Sequence, residues 1–117
     1  MKTTLIDVTI RAVGAAQLVR LEGVLDAASA GSVRVQLADL LASGADRVVL
    51  DMTGTERIDS TGLGALVTSL KSARERDARL VLAGLNAAVR SVVELTRLHR
   101  VFDIFADPDT ALAELEA

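Results

Sequence analysis

The chain has no cysteine, no tryptophan and no tyrosine, and only one proline, one histidine and two phenylalanines in 117 residues. Each scarcity excludes something. Without cysteine there is neither a disulfide framework nor thiolate chemistry, which fits a reducing compartment. The lone histidine, His99, sits beside Arg97 and Arg100. It reads as a surface residue, since one imidazole makes no metal cluster. Aromatics limited to Phe102 and Phe105 offer no platform for stacking bases, and a net charge of −3 offers no basic face for a phosphate backbone. Nucleic acid is therefore not an expected partner. The most basic stretch, Lys71 to Arg79, also carries Glu75 and Asp77 and reads as a solvated helix face and turn. No apolar run approaches membrane-spanning length, and Asp7 and Arg11 interrupt the N-terminal "MKTTLIDVTIRAVG". Neither a signal peptide nor membrane insertion is expected, and the expected location is cytoplasmic.

What the chain does have is 50% hydrophobic and 25% charged residues, the make-up of a globular protein, and its length suits a single domain over residues 1–117. Ile6, Val8 and Ile10 alternate with Asp7 and Thr9, and Val19 and Leu21 alternate with Arg20 and Glu22. Two half-buried strands around a turn at Gly14 predict an antiparallel hairpin. Helical spacing follows at Ala30, Val33, Leu37, Leu40 and Leu41, with Gly44 as a C-terminal stop. "RVVLDM" and "RLVLAG" are short continuous apolar runs, as in strands covered on both faces. Between them Leu63, Leu66, Val67, Leu70 and Ala73 form a helix stripe from about Gly62 to Asp77. Val89, Val92, Val93 and Leu95 open a third helix, "VFDIF" is a short strand, and Asp107 with Pro108 caps a last helix. The predicted order is β-β-α-β-α-β-α-β-α. Strand–helix alternation after the hairpin implies an α/β fold, a mixed sheet of about five strands with helices packed chiefly on one face.

One stretch carries more than periodicity. In "RIDSTGLGALV", residues 57–67, an acid and two hydroxyls precede two glycines and a helical stripe. Asp59 or Ser60 is placed to cap the helix, with Thr61 in its first turn near the surface. Gly62 and Gly64, lacking a Cβ, let another backbone or a partner come close. On physics alone this is ordinary capping, and "DSTG" by itself is a weak signal. "GLG" is no phosphate-binding loop, since no Gly-Lys-Ser/Thr follows. Asp51, Asp59 and Asp103 all fall near strand ends, but paired-carboxylate hydrolysis would need them in one cleft. No catalytic or metal-binding residue is assigned, and no cofactor.

Three stretches in fixed order resemble the STAS domain, shared by bacterial anti-sigma factor antagonists and sulfate transporter tails. "LEGVLDAASA" (21–30) is similar to the family's Gly-x-Leu-Asp strand end and helix start. "VVLDMTGTERIDSTGLGALV" (48–67) is similar to its buried strand, loop and Asp-Ser-Ser/Thr-Gly-Leu-Gly switch. "LVLAGLNAAVRSVVELTRLHRVFDIF" (80–105) is similar to its strand, helix and final strand. Together they cover nearly the whole chain.

The resemblance implies a function and a set of residues. In the antagonists the second hydroxyl of the switch is phosphorylated by a serine/threonine kinase that is also an anti-sigma factor. The unmodified antagonist binds that kinase and frees the sigma factor, and a phosphatase is a further expected partner. By position the acceptor is Thr61, with Ser60 as the alternative. Asp26 matches a family acid near the switch, and Asp59 the acid before the hydroxyls. The implied partner-binding set is Asp26, Asp59, Ser60, Thr61, Gly62, Leu63 and Gly64. Asp26 read locally is as well explained as a cap of the first helix. Threonine at the acceptor is also found in stressosome-type members and in the small STAS subunit of lipid-trafficking ABC transporters. A constitutive subunit of either kind is the alternative to a phospho-switched regulator of stress-response transcription. An enzyme ranks third.

Overall fold

The structure is a computed structural model and describes residues 6–116. Leu5, the first residue of the expected strand "LIDVTI", lies outside them. Strands β1 (Asp7–Val13) and β2 (Ala16–Leu25) form the antiparallel hairpin, with Val13 opposite Ala16 across a two-residue turn. Gly14, the first turn residue, has φ +60°, the backbone that hairpin turns matching strand twist demand there. Helix α1 (Ala30–Ala42) buries Val33, Leu37 and Leu41, one face at helical spacing. Strand β3 (Arg47–Asp51) runs parallel to the first half of β2. Strand β4 (Thr55–Ile58) runs parallel to the end of β2, pairing with Gly23 to Leu25 across a register shift. Helix α2 (Ser60–Glu75), strand β5 (Arg79–Ala83), helix α3 (Ala87–Leu95), a single 3-10 turn (Leu98–Arg100), strand β6 (Ile104–Phe105) and helix α4 (Pro108–Glu116) complete the described chain.

The strand order is β1-β2-β3-β5-β6, with β4 alongside β2 beyond the end of β3. The sheet is mixed, antiparallel only in the hairpin. Its central strands are buried on both sides. Val48 and Leu50 point into the larger core with Leu37 of α1, Leu66 of α2 and Val93 of α3. Val49 and Val81 point the other way, against Ala111 and Leu115 of α4. Three helices thus cover one face and α4 covers the other, which accounts for the continuous apolar runs of β3 and β5.

Three features depart from the sequence reading. β4 was not expected: four residues with Glu56 and Arg57 exposed at their centre carry no strand signature. Its place is fixed by tertiary contacts. The buried Thr55 hydroxyl donates to the Leu21 carbonyl at 2.7 Å, and the Asn86 side-chain amide donates to the carbonyls of Thr55 and Glu56, each at 3.1 Å. Ile10, expected inside with Ile6 and Val8, is 41% exposed because β1 is an edge strand without a neighbour on one side. Leu95, grouped with the valines of α3, is 84% exposed. Val89 and Val93 are one helical turn apart and face the core, and two residues further round the helix points to solvent.

Candidate functional site

The candidate site begins where β2 and β4 end together. Leu25 and Ile58 pair in parallel register, so the next residues, Asp26 and Asp59, emerge side by side. The Asp59 amide donates to the Leu25 carbonyl at 3.2 Å, tying the two exits. Asp59 has an extended backbone and is the N-cap of α2: its carboxylate accepts from the Gly62 amide at 2.8 Å. Its carbonyl accepts from Leu63 N at 2.9 Å, the first bond of the helix. This resolves the choice between Asp59 and Ser60 as the cap. Ser60 and Thr61 are left in the first turn with both side chains exposed. Neither hydroxyl has a hydrogen-bond partner among the described residues, so neither is needed to hold the helix start.

Asp26 is engaged locally. Its carboxylate accepts from the amides of Ala28 and Ser29 at 3.0 and 3.3 Å, closing the turn that leads into α1. Ser29, 1% exposed, donates its hydroxyl to Val24 O at 2.7 Å and accepts from the Asp26 amide at 3.0 Å. The sequence reading missed Ser29, although an acid followed three residues later by a serine before an apolar stripe is the signal of such a turn.

The seven residues read as one partner surface divide into four groups. Asp26 and Asp59 line a cleft of about 340 Å³ toward α3, with Val24, Arg57, Ala88 and Val92. Thr61 and Gly64 line a separate groove of about 490 Å³ between α1 and α2, with Ala27, Gly31, Arg34 and Thr68. Ser60 is exposed and lines neither of them. Gly62 and Leu63 lie beneath. Leu63 is 4% exposed in the larger core, so its side chain is not available to a partner, contrary to the surface role first given it. Helical geometry is the reason: Leu63, Leu66 and Leu70 share the inward stripe. A Cβ on Gly62 would fall 2.2 Å from the Leu25 carbonyl oxygen, so this glycine serves the packing of α2 on the end of β2. On Gly64 a Cβ would meet nothing within 4 Å, which leaves open space beside Thr61.

The other candidate groups do not converge. Asp51 lies 3.8 Å from Arg20 Nε and accepts from the Thr53 hydroxyl at 2.7 Å. Asp103 pairs with Arg79 at 3.2 Å. Among the described residues Asp51, Asp59 and Asp103 line three different depressions and share none of these. His99 is exposed on the 3-10 turn. Among the described residues no group of three or more His, Cys, Asp or Glu is placed to hold a metal, and no helix is long and apolar enough to cross a membrane.

The STAS domain family matches residues 7–111, from the first strand into the last helix. This chain belongs to the STAS domain family. It is 34% identical over 82 residues to an anti-sigma-B factor antagonist of Listeria monocytogenes, covering 70% of this chain and 72% of that one. The crystal structure of an anti-sigma factor antagonist from Mycobacterium paratuberculosis superposes with a TM-score of 0.88 at 20% identity, covering 96% and 95% of the two chains. The Bacillus cell fate determinant SpoIIAA, solved in its phosphorylated form, superposes with a TM-score of 0.73 at 18% identity, covering 92% and 98%. These last two likenesses concern the fold. It is the mixed STAS sheet that the alternating pattern after the hairpin implies, with one short strand more.

Proposed function

We propose that this STAS protein is an anti-sigma factor antagonist switched by phosphorylation of Thr61. Unmodified, it binds an anti-sigma factor that is also a serine/threonine kinase, and the sigma factor is released. The kinase then transfers the γ-phosphoryl group of ATP to Thr61 Oγ1: the new O–P bond replaces the bond to the β-phosphate, ADP leaves, and the hydroxyl proton passes to the kinase. A phosphatase restores the binding form by hydrolysis.

The observation that carries this reading is the spare hydroxyl of Thr61. It is exposed beside the α1–α2 groove and has no hydrogen-bond partner among the described residues, while Asp59 caps the helix start. A group with no structural duty can be modified without unfolding the domain. The first turn of α2 also favours negative charge, so the folded protein tolerates the phosphate. Relatives named as anti-sigma factor antagonists, and a protein of the same fold solved in phosphorylated form, support the assignment.

The test is direct. The protein is incubated with its cognate kinase and ATP, and the phosphate is mapped by mass spectrometry. Modification at Thr61, abolished in Thr61→Ala, is the expected result. Modification at Ser60 alone overturns the assignment, and no modification at either residue favours a constitutive STAS subunit.

A further inference from the structure

Arg34 stands out on the groove that contains Thr61. Among the described residues it is the only charged one lining that groove. Among the described residues no acid lines either wall. Within α1 the residues three and four positions away are Ala30, Gly31, Leu37 and Ala38, so the neighbours that would usually hold a helical arginine are all uncharged. On α2 the facing residues are Thr61, Gly64, Ala65 and Thr68. Among the described residues Arg34 makes no ion pair, whereas Arg20 and Arg79 both do. The space between the helices is open, since a Cβ on Gly31 or Gly64 would meet nothing within 4 Å. An exposed guanidinium thus shares an unfilled groove with an unbonded hydroxyl and has no anion of its own.

We propose that Arg34 is the residue that holds the phosphoryl group on Thr61, spanning the α1–α2 groove to it. This rests on the reading of Thr61 as the acceptor. A phosphate there supplies the anion the groove lacks, and a guanidinium matches its oxygens in a two-pronged contact that lysine cannot reproduce. The pair fills the groove in the modified state and closes it to any partner side chain that enters it in the unmodified state. Arg34 is then part of the switch, because modification occludes the docking groove as well as adding charge. Arg57 serves as the control. It lines the cleft on the other side of Asp59 together with Asp26, and it shares no depression with Thr61.

The experiment places phosphothreonine at position 61 by encoded incorporation, without a kinase, and follows the second ionisation of the phosphate by 31P NMR at low salt. A free phosphothreonine titrates near pH 6, and a close guanidinium lowers the midpoint by about one unit. The lowered midpoint should return toward the free value in Arg34→Gln, be partly kept in Arg34→Lys, and remain as in the parent protein in Arg57→Gln. It should also move toward the free value at high salt. Thermal melts of the unphosphorylated variants establish that α1 is intact. A midpoint unaffected by Arg34→Gln, or moved as far by Arg57→Gln, overturns the proposal. Failure of a kinase to modify Thr61 would remove the parent reading and leave this titration unaltered, so the two failures are distinct.

Discussion

Gly62 packs so closely on Leu25 that a Cβ would fall 2.2 Å from the Leu25 carbonyl oxygen and 2.9 Å from its Cγ. Backbone cannot yield as a flexible side-chain tip can, so Gly62→Ala must push α2 off the end of β2. Overpacking of this kind costs typically about 1–3 kcal/mol. Gly64, two residues on, meets nothing, and alanine there gains up to about 1 kcal/mol of helix propensity. The expected outcome is a clear drop in melting temperature for Gly62→Ala and none for Gly64→Ala. Partner affinity should behave differently, because a methyl at position 64 intrudes on the groove beside Thr61. Equal melting of the two variants would mean that the approach of α2 to β2 relaxes freely.

Asp59 holds the helix start, and Thr61, the proposed acceptor, does not. Asp59 bonds the Gly62 amide at 2.8 Å, and removal of such a cap costs about 0.5–2 kcal/mol. The Thr61 hydroxyl bonds nothing among the described residues, so Thr61→Ala should stay within about 0.5 kcal/mol of wild type, as exposed substitutions usually do. Chemical denaturation of the two variants decides it. A Thr61→Ala loss as large as that of Asp59→Ala would make Thr61 a structural residue and remove the ground for the switch.

Most of this architecture was legible because it rests on local patterns. Alternation gave the hairpin, continuous apolar runs gave β3 and β5, and the Asp107–Pro108 pair marked the start of α4. β4 was not legible, since its place comes from Thr55 reaching Leu21 and Asn86 reaching back to β4, contacts 34 and 31 residues apart that no local window contains. Within the site, the acid, the two hydroxyls and the glycines stood out in sequence. Their division between a cleft and a groove did not, because it depends on how α1 and α3 flank the start of α2. Arg34 passed unnoticed for the same reason: nothing near it in sequence gives it a role, and only the packing of α1 beside α2 brings it to the groove with Thr61.

The start of α4 should make a measurable contribution to acid stability. The Thr110 amide donates to the Asp107 carboxylate at 2.8 Å, and this hydrogen bond, with a smaller contribution from the Thr110 side chain, holds the Asp107 pKa below its ordinary value. A folded pKa lower than the unfolded one means stability that is complete above the ordinary carboxylate range and is lost as pH falls through the folded value. Asparagine caps about as well but does not titrate there. Between about pH 5 and about pH 3, Asp107→Asn should therefore lose stability less steeply than wild type. Midpoints of urea unfolding across that window test it, and parallel curves would show that the Asp107 bond is not coupled to folding.

The switch itself is tested by binding. In the proposed switch, the surface around Thr61 of the unmodified protein closes on the kinase, with Asp59 at its edge. A phosphate adds ~1.5–2 negative charges two residues from that carboxylate. Like charges brought together in a closing interface cost several kcal/mol. A loss of even about 3 kcal/mol weakens binding roughly a hundredfold. Thr61→Glu carries one charge and a different shape, so it should reproduce only part of the loss. Thr61→Ala keeps the neutral surface and cannot be modified, so it should bind tightly and stay bound in the presence of ATP, where the wild type is released. Titration calorimetry with the purified kinase, on the wild type, both variants and the phosphorylated protein, measures all four affinities. The expected order of affinity is wild type and Thr61→Ala together, then Thr61→Glu, then the phosphorylated form. If all four bind alike, Thr61 carries no switch, and a constitutive scaffold or transporter subunit becomes the function that fits this surface.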